Sequence, residues 1–134
     1  MVRVALGLLA DYANVSREGK LNILGIFEQI SAQSVPAVHP QMQLVMALEA
    51  DRVDADREQK IGLELIDADG AKLLSISGDL KFGPPPHGGK IRINHMIQLN
   101  NLQFNRFGDY EFKIIINNEV RYSIPLSVVE LNQS

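Results

Sequence analysis

The chemistry open to this chain is bounded by its three histidines, His39, His87 and His95, and by the absence of cysteine from its 134 residues. Without cysteine there is no thiolate nucleophile, zinc–thiolate site, iron–sulfur cluster or disulfide framework. No Gly-x-Ser-x-Gly elbow or other nucleophile motif occurs. Only His95 falls within a strand pattern, sharing its parity with Ile91, Ile93, Ile97 and Leu99. An imidazole on such a face is usually a core side chain satisfied by its neighbours. The sharper reading is a base with a shifted pKa in a pocket. His39 stands before Pro40, and His87 lies within Pro84-Pro85-Pro86-His87-Gly88-Gly89. No catalytic residue and no cofactor is predicted.

Carboxylates concentrate in one connection. Glu49, Asp51, Asp54, Asp56 and Glu58 lie beside Arg52 and Arg57, so this segment alone accounts for the formal net charge of −3. Asp54, Asp56 and Glu58 alternate as the start of a calcium loop would, but the turn glycine and the closing bidentate glutamate of an EF-hand are missing. A solvated acidic loop is the simpler reading. If successive strands alternate in direction, this connection shares an end with residues 83–89. His87 would then approach Asp54, Asp56 and Glu58 as a weak transition-metal set. Asp67 and Asp69 flank a tight turn, whose chemistry explains them. Gly83, Gly88 and Gly89 lack the spacing of a phosphate loop. With 13 basic against 16 acidic residues, a general grip on nucleic acid or anionic lipid is not expected. Aromatic residues are 6% and tryptophan is absent, which disfavours a sugar-binding platform. Phe104 and Phe107 depart from core parity and are expected to plug one end of the fold.

The elements that would carry these residues show period two throughout. Met42, Leu44, Met46 and Leu48 share one face of 41–49, and Ile61, Leu63 and Leu65 one face of 61–66. Leu74, Ile76, Leu80 and Phe82 do so in 73–82, as do Tyr110, Phe112, Ile114 and Ile116 in 109–116. Val120, Tyr122, Ile124, Leu126 and Val128 complete the set. Strands with one apolar face belong to antiparallel sheets. Register then selects the turns, because paired residues point to one face. Pairing Leu65 with Leu74 and Leu63 with Ile76 leaves a two-residue turn, Asp69-Gly70. Pairing Ile116 with Val120 and Ile114 with Tyr122 leaves a three-residue loop, Asn117-Asn118-Glu119. The first hairpin turns at Ser16-Arg17-Glu18-Gly19 and joins 2–15 to 20–31. Longer connections are expected at 32–40, 50–58, 83–89 and 100–108. Pro125 lacks a ladder donor, so the last strand should be an edge or carry a bulge. Gly108-Asp109-Tyr110 has the form of the tyrosine corner of immunoglobulin-like domains.

The first hairpin is apolar on both sides. Asp11 interrupts it on the face of Leu9, where Leu24 and Ile26 are also placed, and it is expected to be a buried, strand-fixing acceptor, the functional alternative being a site acid or an interface charge. Val45 and Ala47 lie on the otherwise polar side of their strand. Leu9, Leu24, Ile26, Val45 and Ala47 are therefore the candidate interface residues. The segment Met1–Ala10 superficially resembles a signal peptide, but Asp11 and the continuing alternation make it the first strand. No run is long enough to span a bilayer, and a cytoplasmic location is expected.

Ala10-Asp11-Tyr12-Ala13, followed by Gly19-Lys20-Leu21-Asn22-Ile23-Leu24-Gly25-Ile26-Phe27, resembles the DUF6941-type family of small bacterial β-sandwich proteins of unknown function. Ile93-Asn94, Leu99-Asn100-Asn101-Leu102-Gln103-Phe104 and Gly108-Asp109-Tyr110 share in the resemblance, which covers nearly the whole chain. It implies a single stand-alone domain and no activity, so no site residue is carried over from it.

The expected structure is one all-β domain over 1–134, an antiparallel, immunoglobulin-like sandwich of about eight strands. The expected function is a non-enzymatic interaction or structural module that self-associates or binds a protein partner. The alternative is a metal- or small-ligand-binding domain that uses loops 49–58 and 83–89.

Overall fold

The computed structural model describes residues 1–85 and 89–131. Nine strands run in the order β1 (Arg3–Val15), β2 (Leu21–Phe27), β3 (Gln29–Ala32), β4 (Ala37–Ala50), β5 (Glu58–Asp67), β6 (Lys72–Lys81), β7 (Ile91–Phe104), β8 (Gly108–Ile116) and β9 (Glu119–Glu130). They form two packed sheets, ordered β2-β1-β4-β7 and β3-β9-β8-β5-β6. Every neighbouring pair is antiparallel except β3 with β9. The fold is the expected β-sandwich, and among the described residues no helix is long and apolar enough to cross a membrane.

The core forms where the alternating apolar rows meet. Met42, Leu44, Met46 and Leu48 of β4 face Leu63 and Leu65 of β5, Phe112 and Ile114 of β8 and Ile124 and Leu126 of β9, all closed to water. At one edge Gly7 of β1 admits the ring of Tyr122 across the sandwich, because a Cβ on Gly7 would lie 2.7 Å from Tyr122 Cε2.

The expected registers hold in the bodies of the hairpins, and the turns differ by one residue. Leu65 pairs with Leu74 and Leu63 with Ile76, but a bulge beyond Leu65 brings Ile66 opposite Lys72. The turn is therefore the three residues Ala68-Asp69-Gly70. Asp67 N–H donates to the Ala71 carbonyl, Gly70 N–H donates to the Asp67 carbonyl, and Gly70 takes the left-handed conformation at φ +84°. In the last hairpin Ile114 pairs with Tyr122 as expected, yet a bulge pairs Ile115 with Val120 and Ile116 with Glu119. Asn117 and Asn118, at φ 51° and 70°, make a two-residue turn of the mirror-image type. The stretch 20–31 is two strands, because the chain leaves one sheet at Glu28 and joins the other. The connections expected at 32–40 and 100–108 are shorter, with β4 starting at Ala37 and β7 continuing to Phe104. Pro125 lies on a part of β9 that β3, paired with Ser127–Glu130, does not reach.

Tyr110 opens β8 as a tyrosine corner. Its hydroxyl donates to the Arg106 carbonyl at 2.7 Å and accepts from the Arg106 N–H at 3.3 Å. Its ring meets the fully buried Phe104 edge-on at 5.0 Å. The Arg106 side chain bonds Asp67 at 3.0 Å and Asp69 at 2.8 Å, tying this loop to the β5–β6 turn.

Two outcomes follow. Tyr110→Phe strands the Arg106 backbone groups and should lower unfolding stability by about 1–2 kcal/mol, read as a lower urea midpoint at an unchanged slope. The Asp67 carboxyl is held below its ordinary 3.8 by the N–H groups of Ala71 and Asp69 and by Arg106. It contributes stability above that pH and loses it as pH falls through the depressed folded value. Asp67→Asn should flatten the acid limb of a Tm-against-pH curve, and an unchanged limb would refute the assignment.

Candidate functional site

The outer face of the four-stranded sheet has unusual chemistry. All nine strands belong to the two sheets, so no third layer of strands covers this face among the described residues. The pairings place successive rows across it. Leu24 of β2 stands beside Tyr12 of β1, and Ile26 beside Ala10 and then Gln43 and Gln98. Leu8, Val45 and Met96 form the next row, and Leu6, Ala47 and Asn94 the one after. The last row is Arg3, Glu49 and Arg92.

Ala10, Val45 and Ala47 are closed to water, each flanked by larger side chains at paired positions. They form a smooth apolar floor. Leu24, Ile26 and Tyr12 stand up at one corner, 65%, 61% and 49% exposed. At the opposite end, Arg92 bonds Glu49 at 3.1 Å. Arg3 Nη2 sits 3.8 Å from a Glu49 oxygen, too far for a hydrogen bond. Arg3 Nη2 and Asn94 Oδ1 are buried yet lack a hydrogen-bond partner among the described residues. An apolar corner raised above a closed floor is better suited to contact with a partner than with water.

The sequence reading of the interface needs three corrections. Leu9 is a core residue, paired with Leu44 and Phe27 on the inner face and closed to water. Val45 and Ala47 are on the outer face but are its floor, so they are not exposed contact points. Leu24 and Ile26 lie opposite Leu9 and Asp11, since they pair with Tyr12 and Ala10. Asp11 is exposed and lies over Gly25, where a Cβ would collide with its carboxylate. With φ +72° at Gly25, both the space and the backbone call for glycine there. The added signal for this face was the pairing partner of Val45 and Ala47, which parity within one strand does not reveal.

The acidic connection has a structural role. Residues Arg52–Asp54 form one 3₁₀ turn. The Asp54 carboxylate accepts from the Asp51 N–H at 3.0 Å and from the Met1 ammonium at 2.8 Å. Asp51 takes the same ammonium at 3.2 Å and Arg3 at 3.3 Å. The ammonium holds both carboxyls below their ordinary value, helped by Arg3 at Asp51 and by the Asp51 N–H at Asp54. Asp56 and Glu58 are exposed. The connection does lie beside the end of β6, with the Asp56 N–H bonded to the Phe82 carbonyl at 2.7 Å. His87 lies outside the described residues, among which no three His, Asp or Glu groups are placed to hold a metal. His39 packs on Phe27 at 5.7 Å. His95 is half-buried on the inner face near the β7 edge, and burial lowers its pKa below 6.5.

The model of a family of unknown function, DUF6941, matches residues 5–129. No curated protein sequence matches the chain. Among solved structures it is similar to the Pseudomonas fluorescens alkylpurine DNA glycosylase AlkC bound to DNA containing an abasic site analog. The TM-score is 0.55 at 10% identity, over 95% of this chain and 30% of that one. The likeness is one of fold, and this chain spans less than a third of that protein's length.

The two kinds of residue on the outer face should respond differently to truncation. Leu24→Ser and Ile26→Ser should leave the stability of the dilute protein within about 0.5 kcal/mol, whereas Val45→Ala should cost about 1–2 kcal/mol. Equal losses by urea unfolding would contradict the assignment of floor and corner.

Proposed function

The chain belongs to the DUF6941 family, whose function is unknown, and from its own surface we propose that it is a non-enzymatic interaction module that self-associates through the outer face of the β2-β1-β4-β7 sheet. The observation that carries this reading is the exposed Leu24, Ile26 and Tyr12 rising from the closed floor of Ala10, Val45 and Ala47. A second copy presents the same floor, and two such faces stack as sheets do, about 10 Å apart. Four strands of about eight residues make a footprint on the order of 500 Å², the order of the ~800 Å² that each partner of a stable complex buries. The Arg3, Glu49 and Arg92 row, with its Arg92–Glu49 bond at 3.1 Å, supplies a charged rim at the other end.

In this reading the sandwich is immunoglobulin-like, supported by the tyrosine corner at Tyr110. A cytoplasmic setting fits a chain without cysteine. The DNA of the AlkC structure is not carried over, because a likeness at 10% identity speaks to fold alone.

Sedimentation velocity at micromolar concentration should give a dimer for the wild type. Leu24→Lys combined with Ile26→Lys should give a folded monomer with an unchanged far-UV spectrum. A wild-type monomer across that range, or a double variant that still dimerises, overturns the proposal.

A further inference from the structure

The second open feature is a groove of about 250 Å³ at the edge of the sandwich where β6 and β7 face each other. Its walls are Ile61, Leu63, Ile76 and Leu80 from one sheet and Ile97 from the other, with His95 among them. Gly78 forms part of its wall. The inner row of β6 runs Leu74, Ile76, Gly78, Leu80, and Gly78 pairs with the core residue Ile61, so its missing side chain belongs to the inner face. Gly78 is exposed, a Cβ built there meets nothing within 4 Å among the described residues, and its backbone is not left-handed. Neither conformation nor close approach asks for glycine. In a strand interior it forfeits packing and costs stability relative to a β-branched residue.

We propose that this groove is a binding site for a small, neutral, mainly apolar molecule carrying one hydroxyl or carbonyl group, which hydrogen-bonds His95. Size sets the scale. A dry cavity of about 150 Å³ takes benzene, so this one suits roughly ten non-hydrogen atoms. The wall chemistry sets the class, because apolar side chains dominate and His95 is the inner-face group able both to donate and to accept, whereas Ser77, which also lines the groove, belongs to the outer row opposite Gly62. Burial disfavours the charged imidazole, and no Lys or Arg lines the groove among the described residues, so nothing there favours an anion. The site lies on the inner-face edge, away from the surface proposed for self-association, and stands or falls independently of it.

The test uses 4-propylphenol, with 4-propylbenzoate as its anionic counterpart and propylbenzene as the hydrocarbon. At ten times its Kd the phenol should raise Tm by about 3–6 °C and shift the His95 imidazole resonances, while the benzoate should do neither. Gly78→Val fills the groove, so it should raise Tm without ligand and abolish the phenol response. His95→Leu should weaken the phenol about five-fold or more and leave propylbenzene unchanged. No response of the wild type to the phenol, an undiminished response in Gly78→Val, or equal binding of the benzoate overturns the proposal.

Discussion

The two-sided burial of β4 governs the rest of the structure. Met42, Leu44, Met46 and Leu48 must be large to reach the opposite sheet, while Val45 and Ala47 on the other side must be compact. Each outer residue is walled in by its cross-strand neighbours, Leu8 and Met96 for Val45, and Leu6 and Asn94 for Ala47. A polar residue at Val45 would be desolvated between Leu8 and Met96. The centre of the outer face is therefore apolar through the demands of its central strand, and no third layer of strands covers it among the described residues. Flat centre and raised corner are consequences of one packing arrangement.

Within that frame, much of the fold was legible from period two. Parity names the core rows correctly except at Val120, which the bulge turns to the outer side opposite Ile115, because elsewhere a one-residue slip would move every large side chain to the wrong face. The turns were less legible for the same reason. Parity constrains strand bodies and says nothing of a residue absorbed between body and turn. Beyond Leu65 and beyond Ile114 a bulge takes up one position, converting an apparent two-residue turn into three and an apparent three-residue turn into two. Adjacent asparagines supply two left-handed residues at Asn117-Asn118, and that local preference outweighs unbroken pairing.

The candidate surface was half legible. Leu24 and Ile26 announced themselves as apolar residues on the second side of a hairpin, and they are exposed. Leu9 misled because a two-faced strand does not declare which side meets the other sheet. Asp11 misled because a charge in an apolar run suggests burial. Its freedom depends on Gly25, fourteen residues later, whose missing side chain leaves the carboxylate room at an exposed position. The acidic connection carried the same lesson. Within that run of carboxylates, Asp51 and Asp54 are bonded to the Met1 ammonium and to Arg3 or a backbone N–H, while Asp56 and Glu58 stay exposed.

The two edges of the sandwich show how one residue type produces opposite outcomes. Gly7 and Gly78 both occupy inner-face positions, each where an apolar side chain would continue the row. At Gly7 the opposing sheet supplies the Tyr122 ring, so the glycine permits close packing and any side chain there must displace an aromatic. At Gly78 the opposing sheet supplies nothing within reach, and the residues across the gap are His95 and Ile97. A glycine whose space is filled is explained by packing. A glycine whose space is empty, in an ordinary strand conformation, beside an imidazole whose charged form burial disfavours, is a standing loss of stability that packing does not explain. In a sandwich otherwise closed by Leu, Ile and Phe, no described residue fills that space, and the proposed ligand is what would occupy it.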